Sequence, residues 1–150
     1  MNATALEWLQ FTAAVAGGVW AIKLFQSDVR RRQTAWLFQL FEKFYEKDRY
    51  SKIRTILDHN LEPQLTELKR QIAEDGVKEL EEQFSDYLNF FEFIYHLRAK
   101  DGVSRRDIDD MFDYYFGNLR RHGFVRTYAA KYGFEGLTAE FARRSEATAK

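Results

Sequence analysis

Between Phe84 and Phe116 the sequence reads FSDYLNFFEFIYHLRAKDGVSRRDIDDMFDYYF, and its apolar residues recur three and four apart. Phe84, Tyr87, Leu88, Phe91, Ile94 and Tyr95 form one helical stripe, and Ile108, Met111, Phe112, Tyr115, Phe116 and Leu119 form a second. A half-buried strand would alternate apolar and polar residues instead. The two stripes predict a helical hairpin. Asp101-Gly102 closes the first arm, because glycine tolerates the left-handed conformation just past a helix end. Ser104 opens the second, with Asp107 three residues on in the position of a capping-box acid.

The rest of the chain follows the same logic. One proline in 150 residues, few glycines and an aromatic share of 17% argue for long helices packed through Phe and Tyr. The predicted fold class is all-α: a bundle of about six helices over 33–150, preceded by one N-terminal hydrophobic helix and basic junction over 1–32. Cysteine is absent, which excludes disulfides, thiolate metal sites and cysteine nucleophiles. The net charge is zero but unevenly spread: residues 26–57 carry +4, 58–92 carry −7, 93–119 carry −1 and 120–150 carry +4. Each basic end could face an anionic partner.

From Leu6 to Phe25 the sequence LEWLQFTAAVAGGVWAIKLF is mostly apolar. As a helix it would rise about 30 Å, the thickness of a bilayer's hydrocarbon core. Glu7 and Lys23 lie near its ends, Trp8 and Trp20 stand where interfacial aromatics belong, and Arg30, Arg31 and Arg32 follow. By the positive-inside rule this predicts a single-pass anchor in the inner membrane, with the C-terminal domain in the cytoplasm and Lys23 and Arg30–Arg32 at the junction, against membrane lipid. A cleavable signal peptide would need a basic start, which Glu7 contradicts. A soluble oligomer with residues 6–25 buried, or an interfacial helix, is the other reading. The spacings Ala13 to Gly17, Ala14 to Gly18 and Gly17 to Ala21 would let two such helices approach closely as a homo-oligomer.

No helix breaker separates this segment from TAWLFQLFEKFYEKD, residues 34–48, so one continuous helix is expected, its aromatic part Trp36–Tyr45 coupling domain to anchor. A helix over 50–60, a break at Asn60-Leu61-Glu62-Pro63, a helix through Leu65, Leu68 and Ile72, and a stop at Asp75-Gly76 follow. Gly123-Phe124 and Gly133-Phe134 read as two further helix ends, and Leu137–Arg144 as the last helix.

Candidate chemistry is sparse. Asn89 and Glu92 stand three apart in an apolar arm and read as structural polar residues; a buried Glu92 would need Arg54, Arg98 or Arg121. Asp107, Asp109, Asp110 and Asp113 read as a solvated helix start, and His59, His96 and His122 lack metal-ligand spacing, so no metal and no cofactor is expected. No phosphate loop or nucleophile elbow is present, and a catalytic role is not expected. The basic stretch Arg120, Arg121, His122, Arg126 and Lys131, interleaved with Tyr128 and Tyr132, is the candidate binding site for an anionic small molecule or nucleotide. Nothing points to duplex nucleic acid.

RRRQTAWLFQLFEKF, YLNFFEFIYHLRAKDG and the helix from Ile108 onward, in that order behind a hydrophobic segment, resemble a bacterial family of membrane-anchored helical proteins, a domain of unknown function with an N-x-x-E core helix. The resemblance implies a membrane-tethered, all-helical cytoplasmic domain with no assigned activity. In its order of parts the chain is also similar to small membrane effectors of prokaryotic antiviral systems, in which a helical domain senses a nucleotide. The expected function is a non-enzymatic binding or sensing module at the membrane. A ligand-gated membrane effector is the alternative.

Overall fold

The computed structural model describes residues 3–74, 78–98, 100 and 104–148; within these, the side chains of 3–7, 9–14, 144 and 146–148 lie outside the description. Helices follow one another as α1 (Ala3–Glu46), α2 (Asp48–His59), α3 (Glu62–Ala73), α4 (Glu79–Arg98), α5 (Arg105–Arg121), α6 (Gly123–Lys131) and α7 (Glu135–Thr148), and the described residues contain no strand. The chain divides into two compact units, Met1–Phe38 and Gln39–Lys150. Helix α1 is unbroken from Ala3 to Glu46, so the predicted hydrophobic helix and first domain helix are one element.

The predicted hairpin arms are α4 and α5. Ser104 caps α5 as expected, its hydroxyl accepting from the Asp107 N–H at 3.3 Å. The stops expected at Asp75-Gly76 and Asp101-Gly102 lie outside the described residues. Phe84, Leu88, Phe91 and Ile94 of α4 are fully buried, as are Ile108, Phe112 and Phe116 of α5. Each such side chain contributes roughly 1.5–3 kcal/mol by leaving water. Phe91 sits edge-on to Phe116 at 5.3 Å and packs on Tyr87 at 5.0 Å, an arrangement that aligns ring edges with ring faces.

Local signals set the ends of the shorter helices. Asn60 closes α2 in the left-handed conformation, with φ of 46°, and Pro63 stands in the first turn of α3, where a missing N–H costs nothing. Gly133, with φ of 78°, closes α6 ahead of the buried Phe134. Gly123 departs from its prediction: α5 ends at Arg121, and Gly123 is the first residue of α6. His122, in extended backbone, makes that joint.

Glu92 has a partner the sequence did not suggest. Its carboxylate accepts from the Gly136 and Leu137 N–H groups, both at 2.8 Å, and its Oε1 lies 3.1 Å from His96 Nε2. Those backbone donors belong to the first turn of α7, which has no partner within its own helix, and the helix dipole favours a negative charge there. None of the three expected arginines is used; the half-buried carboxylate is satisfied by backbone. Asn89 is exposed, so the two residues do not act as a pair. The approach also needs Gly136, because a Cβ there would lie 2.3 Å from Tyr95 Cδ1 and 2.8 Å from Glu92 Oε1. Gly136→Ala is therefore expected to cost about 1–3 kcal/mol through overpacking. Chemical denaturation of the full chain checks this, and an unchanged midpoint would mean that α4 and α7 can part freely.

Candidate functional site

In the first unit, every residue from Val15 to Asp28 is exposed, on all sides of α1. Val19, Trp20, Ile22, Leu24 and Phe25 are each more than half exposed, Phe25 reaching 71%. A helix that buries an apolar stripe shows a polar opposite face; Val15–Ile22 shows none. Gly17 and Gly18 have open space where a side chain would stand. Among the described residues no helix is long and apolar enough to cross a membrane. Part of the predicted span, the side chains of 6, 7 and 9–14, lies outside that description.

The basic residues that follow separate by helical geometry. Lys23, Gln26, Ser27, Arg30, Arg31, Thr34, Ala35 and Phe38 share one long open face. It carries three cations and no carboxylate. Arg32 falls outside it and is ion-paired with Asp28 at 2.8 Å, one turn back, while the Thr34 hydroxyl donates to the Arg30 carbonyl at 3.0 Å. The three consecutive arginines thus divide into two without a neighbouring acid on their face and one already paired.

The basic C-terminal stretch is spread over α5, α6 and the joint between them. Arg120 and Arg121 end α5. His122 is bonded through Nε2 to the Leu57 carbonyl at 3.3 Å. Burial pushes its imidazole below the ordinary histidine value; Lys69 and Arg121 act in the same direction, while the Leu57 carbonyl and Asp58 oppose them. A depressed value leaves it neutral at pH 7, a bridge between helices rather than a cation for an anionic ligand. The Arg126 guanidinium lies by Gly123, and Lys131 rests 4.9 Å from the Tyr132 ring. None of the five lines the open face of α1 or the cavity between α4, α5 and α7 described below.

Three arginines from different helices do converge. Arg98 of α4, Arg105 of α5 and Arg143 of α7 meet around a cavity closed by Tyr95, Ala139 and Glu140. The acids of α5 serve this region and the surface: Asp109 pairs with Arg98 and Arg105, and Asp110 with Arg106. Among the described residues no group of three histidine, aspartate or glutamate side chains could hold a metal ion. Local pairs such as Arg105–Asp109 and Glu140–Arg143 are visible as helical spacings. Their meeting with Arg98 is not, since it depends on how three helices pack.

Compared with known proteins, the chain matches no protein-family model, no curated protein and no solved structure.

Proposed function

We propose that this protein is a membrane-tethered, non-enzymatic binding module. In this reading the apolar part of α1 lies in the inner membrane, and Lys23, Arg30 and Arg31 meet anionic headgroups on the cytoplasmic side. The observation that carries it is the all-round exposure of Val15–Phe25, an apolar helix surface that water does not tolerate at this extent. These residues rise about 16 Å, half of the roughly 30 Å of hydrocarbon, so residues 6–14 supply the rest of the span. The basic face favours lipid as the cover: each Lys or Arg near an anionic leaflet contributes about 1 kcal/mol.

A second copy of the chain is the competing cover, favoured by the open surface at Gly17 and Gly18. Alkaline extraction of membranes from cells making the full chain tests the proposal. Retention in the pellet, with release by detergent alone, supports it. A soluble full chain that light scattering finds oligomeric overturns it. Changing Gly17 and Gly18 to leucine separates the covers further: lipid tails accommodate the added side chains, whereas helices packed through these glycines are forced apart.

A further inference from the structure

We propose that the cavity between α4, α5 and α7 binds a small oxyanion, namely inorganic phosphate or the phosphate group of a phosphomonoester. The inference does not rest on the membrane reading. It concerns residues of the second unit only.

The cavity has a volume of about 140 Å³ and is lined by Tyr95, Arg98, Arg105, Ala139, Glu140 and Arg143. The Arg98 side chain is only 5% exposed, and among the described residues its Nε and Nη1 make no hydrogen bond. Its Nη2 donates to Asp109, and Nη1 lies 3.0 Å from Glu140 Oε2 as an ion pair. Arg143 is already forked onto Glu140, at 2.7 and 3.0 Å, while Arg105 reaches Asp109 only at 4.0 Å. Asp113 also acts on Arg143, more weakly than Asp109.

Among the described residues, donors outnumber the acceptors of Glu140 and Asp109. Three guanidiniums carry about fifteen N–H groups, against about eight acceptor positions on Glu140 and Asp109. Burying a guanidinium with unmade bonds costs free energy that an acceptor in the cavity would recover. A tetrahedral oxyanion suits the gap because it presents acceptors in several directions and planar guanidinium forks bind it two bonds at a time. Size narrows the ligand further. The cavity is well below the roughly 300 Å³ at which small-molecule pockets begin, so it takes a phosphate group and leaves any attached base or sugar outside. The Gly136 and Leu137 N–H groups of α7 are not counted among these donors, because Glu92 accepts from both.

The test is thermal unfolding and titration calorimetry of the full chain in detergent, with inorganic phosphate set against chloride at equal ionic strength. The expected result is a saturable rise in melting temperature with phosphate and a dissociation constant of about 1 mM or tighter. Arg105 and Arg143 are at least half exposed, so removing them leaves the core intact. The variant with both changed to alanine should bind phosphate at least tenfold more weakly. Arg106→Ala, on an outward face, should bind it as the wild type does. Vesicles containing phosphatidic acid, compared with phosphatidylcholine alone, show whether the phosphate group comes from lipid or from solution. A response to either phosphate source that the double variant loses supports the site. A response no greater than that to chloride, or one that survives Arg105→Ala with Arg143→Ala, overturns it.

Discussion

Replacing Phe44 with alanine is expected to remove about 3–5 kcal/mol from the stability of the bundle. A domain of this size has about 5–15 kcal/mol in all, so the melting temperature of the full chain should fall steeply. Phe44 is fully buried in the last turn of α1, where its ring stacks on Phe90 at 4.9 Å and meets Tyr115 at 5.0 Å and Phe91 at 5.5 Å edge-on. Tyr87 and Phe112 lie at 5.8 and 6.1 Å, and the Arg54 guanidinium covers the ring at 5.3 Å while donating to the Phe44 carbonyl. These neighbours come from α2, α4 and α5, held by the rest of the core, and cannot collapse together into the space a missing ring leaves. The cost therefore includes the cavity as well as the lost transfer energy. Phe93→Ala, on an exposed face of α4, is the control and should stay within about 0.5 kcal/mol. A loss below 1 kcal/mol at Phe44 would mean that the end of α1 is not docked as described.

Why Phe44 could be chosen from the sequence, and Gly136 could not, is a matter of distance along the chain. Phe44 follows Leu37, Leu40 and Phe41 at spacings of three and four, and periodicity is a local property that survives without knowledge of the partner helix. Ser104 and Gly133 were legible for the same reason, since a cap or a left-handed helix end is decided by its own few residues. Gly123 has the same local look as Gly133 yet starts a helix, and the joint falls at His122, which bonds to the Leu57 carbonyl sixty-five residues away. Gly136 is required by Tyr95 and Glu92, which stand more than forty residues away. The cavity arginines were hidden likewise. Basic residues cluster visibly at 120–131, whereas the convergent arginines come one from each of three helices. The apolar character of 15–25 was plain in the sequence, and the structure adds that no described residue of that stretch is buried.

Glu140→Ala should be about as damaging as loss of Phe44, at about 3–5 kcal/mol, for an electrostatic reason. Glu140 is 1% exposed, and its carboxylate holds both Arg98 and Arg143. Arg143 can turn to water when that carboxylate goes. Arg98 cannot, since its guanidinium is buried with its face 4.6 Å from the Phe116 ring, leaving Asp109 as its only ion-pair partner among the described residues. Most of the cost is thus the desolvated charge left behind rather than the value of the pair itself. That distinction is testable, because removing both charges removes the penalty. The double variant Arg98→Met with Glu140→Leu keeps volume while discarding both ions, and it should recover most of what Glu140→Ala loses. Denaturant unfolding of the wild type, Arg98→Met, Glu140→Leu and the pair gives the coupling directly. A double variant no more stable than Glu140→Ala would show that these residues act on the bundle through shape and not through charge. Recovery would make the ion pair a requirement of the cavity it lines, retained although an apolar pair would fold as well.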